Sequence, residues 1–75
     1  DLFTLETEDA YYIAYFNYDD TLKEGKITLK DMGIDPNKVA GGIECWSGNK
    51  VNVQDNKLLY RLSAHQAEIY HLYKK

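Results

Sequence analysis

The sequence predicts an all-β domain, a sandwich or barrel of short strands. Two observations carry that expectation. Turn signals recur at intervals of roughly 8–12 residues between short runs of strand-forming residues. The composition is also β-leaning: seven Tyr, two Phe and one Trp stand among 75 residues, and aromatic side chains favour pleated, half-buried surfaces.

The elements follow in order. Residues 2–7 are a short run of strand formers, and Glu8-Asp9 interrupts them as a turn would. Residues 10–17, Ala-Tyr-Tyr-Ile-Ala-Tyr-Phe-Asn, form the strongest strand. Aromatic and β-branched residues fill both of its faces, so cover on both sides is expected. Tyr12, Ala14 and Phe16 share one face, and Tyr11, Ile13 and Tyr15 share the other; the pattern leaves open which is core. Residues 18–24 read as a polar loop. Lys26-Ile27-Thr28-Leu29 alternates, with Ile27 and Leu29 inward. The connection from Lys30 to Lys38 is expected to hold one helical turn at Lys30-Asp31-Met32, with Met32 and Ile34 folded back over the core. Pro36 disfavours helical geometry at Asp35.

Val39 to Trp46 is the next strand, with Gly41-Gly42 as a bulge or a close approach of backbones. Ser47-Gly48-Asn49 breaks it, and Gly48 or Asn49 can take the positive φ a tight turn needs. Trp46, the largest side chain, stands at the strand's end. A buried Trp removes roughly 150–250 Å² from water, so Trp46 is expected to be mostly buried, against the Phe16 strand or the last strand near Ile69. Lys50-Val51-Asn52-Val53 alternates, Asp55-Asn56 reads as a hairpin turn, and Lys57–Leu62 as a strand. The final segment stays open. Ser63-Ala64-His65-Gln66 fits a helical capping box, with Leu62, Ile69, Leu72 and Tyr73 on one face. A strand from Gln66 to Tyr73 fits as well.

The totals exclude several classes. Net charge is −3 with both signs interspersed, and no basic patch offers a nucleic-acid surface. No apolar run approaches the ~20 residues of a membrane-spanning helix, so no membrane partner is expected. One Cys rules out an internal disulfide, and two His with one Cys make a poor metal site; no cofactor is expected. A chain of this size buries only about 60–65% of its unfolded surface, so stability must come from apolar packing or a larger neighbour. The start at Asp1, without a signal peptide, suggests a piece of a longer protein.

With the elements placed, three segments line up: Tyr12-Ile13-Ala14-Tyr15-Phe16-Asn17, Ile43-Glu44-Cys45-Trp46-Ser47-Gly48, and Leu62-Ser63-Ala64-His65-Gln66-Ala67-Glu68-Ile69-Tyr70-His71-Leu72. Together they resemble the C-terminal β-sandwich domain of retaining glycoside hydrolases, above all the α-galactosidase (melibiase) group; the α-amylase group carries a similar domain. The resemblance runs over nearly the whole chain, residues 9–73. It departs at Glu44, where the family usually has Asp, at Cys45, where an aliphatic residue is usual, and at Ala64, where Pro is common. It implies a single antiparallel Greek-key sandwich of about seven or eight strands, following a (β/α)8 catalytic barrel, and it favours strand for the last segment. The parent reaction it implies is hydrolysis of terminal α-linked sugars.

The candidate sites divide accordingly. Retaining glycosidases need two carboxyls about 5–5.5 Å apart. Asp19-Asp20 and Glu6 with Glu8 are the available pairs, and both are expected to solvate turns and strand faces. Glu44 alone sits in an apolar setting, and is expected to face solvent or to bond a neighbouring backbone N–H. Cys45 with His65 or His71 matches no nucleophile or metal spacing; a buried structural Cys and turn or surface His are expected. No catalytic, cofactor or metal residue is therefore assigned. Tyr11, Tyr15, Tyr18 and Tyr70 are the candidate contacts to a partner, whether the barrel or a carbohydrate. Phe16, Trp46 and Ile69 are the expected structural anchors. The leading expectation is a non-catalytic accessory domain that stabilises the barrel. The alternative is a carbohydrate-binding module with Tyr side chains and Trp46 as platforms. A single-strand nucleic-acid binder built on the Tyr11–Phe16 strand is disfavoured by the acidic charge.

Overall fold

A computed structural model describes residues 2–51 and 53–75. Asp1 and Asn52, the second of them within the alternating 50–53 segment, lie outside the described residues. Seven strands are described: β1 Leu2–Glu6, β2 Ala10–Phe16, β3 Lys23–Thr28, β4 Val39–Glu44, β5 Val53–Gln54, β6 Lys57–Leu62 and β7 Ala67–Lys74. They form two antiparallel sheets, one in the order β1-β2-β7-β4 and one in the order β3-β6-β5. The chain crosses between the sheets four times, from β2 to β3, β3 to β4, β4 to β5 and β6 to β7. The last strand thus lands in the middle of the larger sheet. The fold is the small antiparallel sandwich that the sequence predicts.

Pairing settles the ambiguous faces. β2 runs between β1 and β7, with Leu2 opposite Tyr15 and Ile13 opposite Tyr70. Tyr11 and Ile13 are buried, so the Tyr11/Ile13/Tyr15 face is the inner one. From β7 the inner residues are Tyr70 and Leu72, and from β6 they are Leu58 and Leu62. Leu29, Met32 and Ile34 close the core from the connection after β3. A 3₁₀ turn at Lys30–Met32 places them there, as expected, and Gly33 ends it in a left-handed conformation. Half-buried Tyr15, Ile27, Val39, Val51 and Tyr60 pack around this cluster.

The final segment is a strand. Its burial alternates with period two, Tyr70 and Leu72 in and Ile69 and His71 half out, and both of its edges are paired. Ser63–Gln66 is a turn rather than a helix cap: the Gln66 N–H donates to the Ser63 carbonyl at 3.1 Å, and His65 takes φ 56°. β3 begins at Lys23, inside the expected polar loop. It is an edge strand pairing only with β6, where charged residues are tolerated and guard against further pairing. Asp55-Asn56 makes the expected hairpin turn, both residues with positive φ, at 52° and 63°.

Three expectations about anchors are corrected. β4 ends at Glu44, two residues early, and Trp46 is 72% exposed. The inward position at the strand's end belongs to Glu44, opposite Tyr70. The chain then turns through Cys45–Ser47, closed by the Gly48 N–H donating to the Glu44 carbonyl at 2.8 Å. That turn lifts Trp46 away from the core and leaves Cys45 exposed rather than buried. Phe16 and Ile69 are half-buried on the outer side of the larger sheet, not within the core cluster.

Candidate functional site

The outer face of the four-stranded sheet is the most unusual surface of the molecule. Register places Phe3 and Leu5 of β1 opposite Ala14 and Tyr12 of β2. Tyr12 and Ala14 stand in turn opposite His71 and Ile69 of β7, and Ile43 of β4 stands opposite His71. All of these side chains share one face, because successive residues of a strand alternate sides. Phe3 is 59% exposed and Leu5 62%.

Ring contacts tie the face into two groups. Phe3 meets Phe16 edge-on, centroids 5.9 Å apart, and Phe16 stacks nearly parallel on Tyr18 at 6.1 Å. At the other end the His71 ring lies 4.6 Å from Tyr12 and 4.8 Å from Tyr73. Such pairings are those that ring quadrupoles favour, and they hold the rings in place on the sheet.

The outer face of the smaller sheet is of opposite character. Glu24 and Lys26 of β3 stand opposite Arg61 and Leu59 of β6. Glu24, Lys26, Lys57 and Arg61 are exposed, and the Arg61 Nε lies 3.8 Å from a Glu24 carboxylate oxygen. One side of the sandwich is thus charged and solvated, the other aromatic.

Of the four tyrosines nominated from sequence, only Tyr18 reaches the aromatic face, at its margin and 64% exposed. Tyr11 and Tyr70 are buried in the core, which removes them as contacts to any partner there. Tyr15 is half-buried on the inner side, its ring 4.8 Å from that of Tyr60. Burial and the neighbouring Tyr60 push its hydroxyl pKa up. Phe3, Leu5, Tyr12, His71 and Tyr73 belong to that face and were not singled out from the sequence. The alternation of β2 offered two aromatic faces, and only the position of its partner strands distinguishes them.

Several carboxylates bond to neighbouring groups of the fold. One Glu44 oxygen accepts the Ser47 N–H at 2.8 Å and the other accepts the Ile69 N–H at 3.1 Å. Burial alone would raise the Glu44 pKa, but the N–H groups of Ser47, Trp46 and Ile69 outweigh it and hold the carboxyl below its ordinary range. A carboxylate so committed is unsuited to general acid catalysis. Burial, reinforced by Glu44, pushes the nearby Glu68 up. Asp19 pairs with Lys23 at 3.0 Å, Asp20 with the His65 ring at 2.5 Å, and Glu6 with Lys74 at 2.8 Å. Among the described residues no three His, Cys, Asp or Glu side chains group closely enough to hold a metal ion, and no helix is long and apolar enough to cross a membrane.

The three segments of the sequence pattern meet at one end of the sandwich. The buried Asn17 donates from Nδ2 to the carbonyls of Thr21, Leu62 and Ser63 at 2.9, 3.2 and 3.0 Å, and its own N–H donates to the Gln66 carbonyl. The His65 N–H donates to the Asp19 carbonyl. Glu44 and Cys45 bond the backbone of Ile69 from the other side. Comparison with protein-family models, with curated proteins and with solved structures found no match.

Proposed function

We propose that this chain is a non-catalytic accessory domain that packs the aromatic face of its larger sheet against the catalytic barrel of an α-galactosidase-like glycoside hydrolase. The observation that carries the reading is the contrast between the two outer faces. A four-stranded sheet with Phe3, Leu5 and Tyr73 exposed and Tyr12 half-buried among them presents an apolar patch, and such patches mark surfaces that another body covers. Tyr hydroxyls and the His71 ring suit the wet rim of an interdomain contact.

The sequence pattern supports the identity of the partner. Asn17, Glu44 and the His65 turn, the polar signatures of the three resembling segments, hydrogen-bond to backbone and close one end of the sandwich. They act as fold determinants, which suits a domain type recognised by its scaffold rather than by catalytic groups.

The test has two arms. Pure chain is expected to leave an aryl α-galactoside uncleaved, and measurable turnover would refute the non-catalytic role. The sequence upstream of Asp1 is expected to encode barrel strands ending in aspartates. That segment, co-expressed as a separate chain, should co-purify with this domain and lose it on Phe3→Asp with Tyr73→Asp; an upstream segment of another fold class would overturn the reading.

A further inference from the structure

Two open sheets leave four edge strands, here β1, β4, β3 and β5. Three of them are guarded. β3 carries exposed Lys23, Glu24 and Lys26, and β5 is two residues long. The outward groups of β4 are taken by residues 49–51: the Val51 N–H donates to the Gly42 carbonyl at 3.0 Å, and the Glu44 N–H donates to the Asn49 carbonyl at 2.8 Å. Charge, shortness and cover are the devices that keep edges from pairing. β1 has none of them. It runs five residues in unbroken register with β2, and its one charge, Glu6, is held by Lys74 of the same chain.

The phase of the hydrogen bonds shows what this edge offers. The Thr7 N–H donates to the Ala10 carbonyl where β1 turns into β2, and the Asn17 N–H donates to the Gln66 carbonyl at the far end of the β2–β7 pair. Bonded and non-bonded positions alternate along antiparallel strands. Both anchors therefore turn the backbone groups of Tyr12 and Ala14 toward β1. Phe3 and Leu5 bond to them, and the N–H and C=O groups of Leu2, Thr4 and Glu6 point the other way, where no described strand pairs.

We propose that β1 pairs antiparallel with β1 of a second copy about a two-fold axis at Thr4, joining two four-stranded sheets into one. The edge is self-complementary in this register, as a two-fold contact requires. Thr4 meets Thr4 of the second copy and Leu2 meets its Glu6 at the bonded positions, so every outward group of both strands is used. A slip of two residues either way leaves Leu2 or Glu6 unpaired. Phe3 meets Leu5 of the second copy at the non-bonded positions, where side chains approach closest. These side chains are 59% and 62% exposed, and each covers the other. The two Glu6 carboxylates stand at opposite ends of the ladder. The axis runs perpendicular to the sheet, so the aromatic face continues across the junction, and the pairing does not rest on the docking reading.

Hydrogen exchange by NMR tests the register. As concentration rises with apparent mass in sedimentation, the Thr4 and Glu6 amides should gain protection, while those of Phe3 and Leu5 are protected throughout. Thr4→Pro deletes an outward N–H that β2 does not use, and edge strands tolerate Pro there. It should keep the fold by circular dichroism and weaken dimerisation at least about fivefold. Thr4→Lys and Thr4→Glu each set like charges opposite one another across the axis, and each should weaken self-pairing similarly; mixing the two should restore a dimer containing one of each. Three results overturn the proposal: a chain monomeric at NMR concentrations, a rising mass without protection at Thr4 and Glu6, or a mixture no better paired than its parts. None of them bears on co-purification with an upstream barrel, so the two readings fail separately.

Discussion

Asn17 is 1% exposed and sits where β2 hands the chain to its loop. Its amide spans carbonyls from the loop at Thr21 and from the end of β6 at Leu62 and Ser63, and its Oδ1 accepts the Asp19 N–H at 3.0 Å. Asn17→Ala leaves these groups without a partner, and the expected cost is about 2–3 kcal/mol, read as a fall in the urea midpoint. Glu44 is the second polar fixture. Its folded pKa lies below its ordinary one, so it stabilises the fold fully above the usual glutamate range and loses that contribution as pH falls through the folded value. Glu44→Gln should therefore cost about 1.5–3 kcal/mol near neutrality. The gap between variant and parent should close in acid; a gap independent of pH would show that the charge is not what matters. Trp46 reverses the expectation drawn from its size. At 72% exposure its truncation to Ala should move stability by no more than about 0.5 kcal/mol. The native chain should already show the red emission of solvated indole, with little further shift on unfolding.

At the level of elements, the strongest constraint is how closely β4 approaches β7. A Cβ built on Gly42 would lie 2.5 Å from the His71 carbonyl oxygen and 2.8 Å from a Leu72 methyl. The first contact is backbone and cannot swing aside, so Gly42→Ala must push the β4 edge off the sheet. A cost of about 1–3 kcal/mol is expected, the range for overpacking, together with faster amide exchange along β4. That Gly41-Gly42 marks a bulge or a close approach was legible in the sequence, and both occur: the register shifts between Val39 and Gly41. The Asp55-Asn56 hairpin and the Lys30–Met32 turn were legible for the same reason, since turn chemistry is local. The end of β4 was not. Val39 to Trp46 reads as one strand, and the turn that ends it at Glu44 is held by hydrogen bonds from the Ser47 and Ile69 N–H groups to the Glu44 carboxylate and from the Gly48 N–H to the Glu44 carbonyl. The last segment carried a helical capping signature that two flanking strands override; local preference yields when both edges of a strand are paired. The aromatic face was hidden by a similar limit. β2 has rings on both sides, and a one-residue change of register exchanges its faces.

Across the whole molecule the two outer surfaces divide the labour. The smaller sheet turns Glu24, Lys26, Lys57 and Arg61 to solvent. The larger sheet presents Phe3, Leu5, Tyr12 and Tyr73, with β1 as an edge that no described strand pairs on its far side. An open edge beside an apolar face invites association. In isolation the domain should therefore self-associate weakly as its concentration rises, seen as a growing apparent mass in sedimentation. Leu5→Lys with Tyr73→Lys should remove that tendency. Both side chains are exposed, Leu5 by 62% and Tyr73 by 41%, so the double change should alter the urea midpoint little. The same substitutions, with Phe3→Lys added, should prevent the domain from joining the barrel proposed as its partner, because they place charge within the surface proposed to be buried. Loss of association with stability kept separates a docking face from a merely structural one. If the triple variant unfolds instead, the aromatic residues belong to the domain's own stability, and the partner must be sought on another surface.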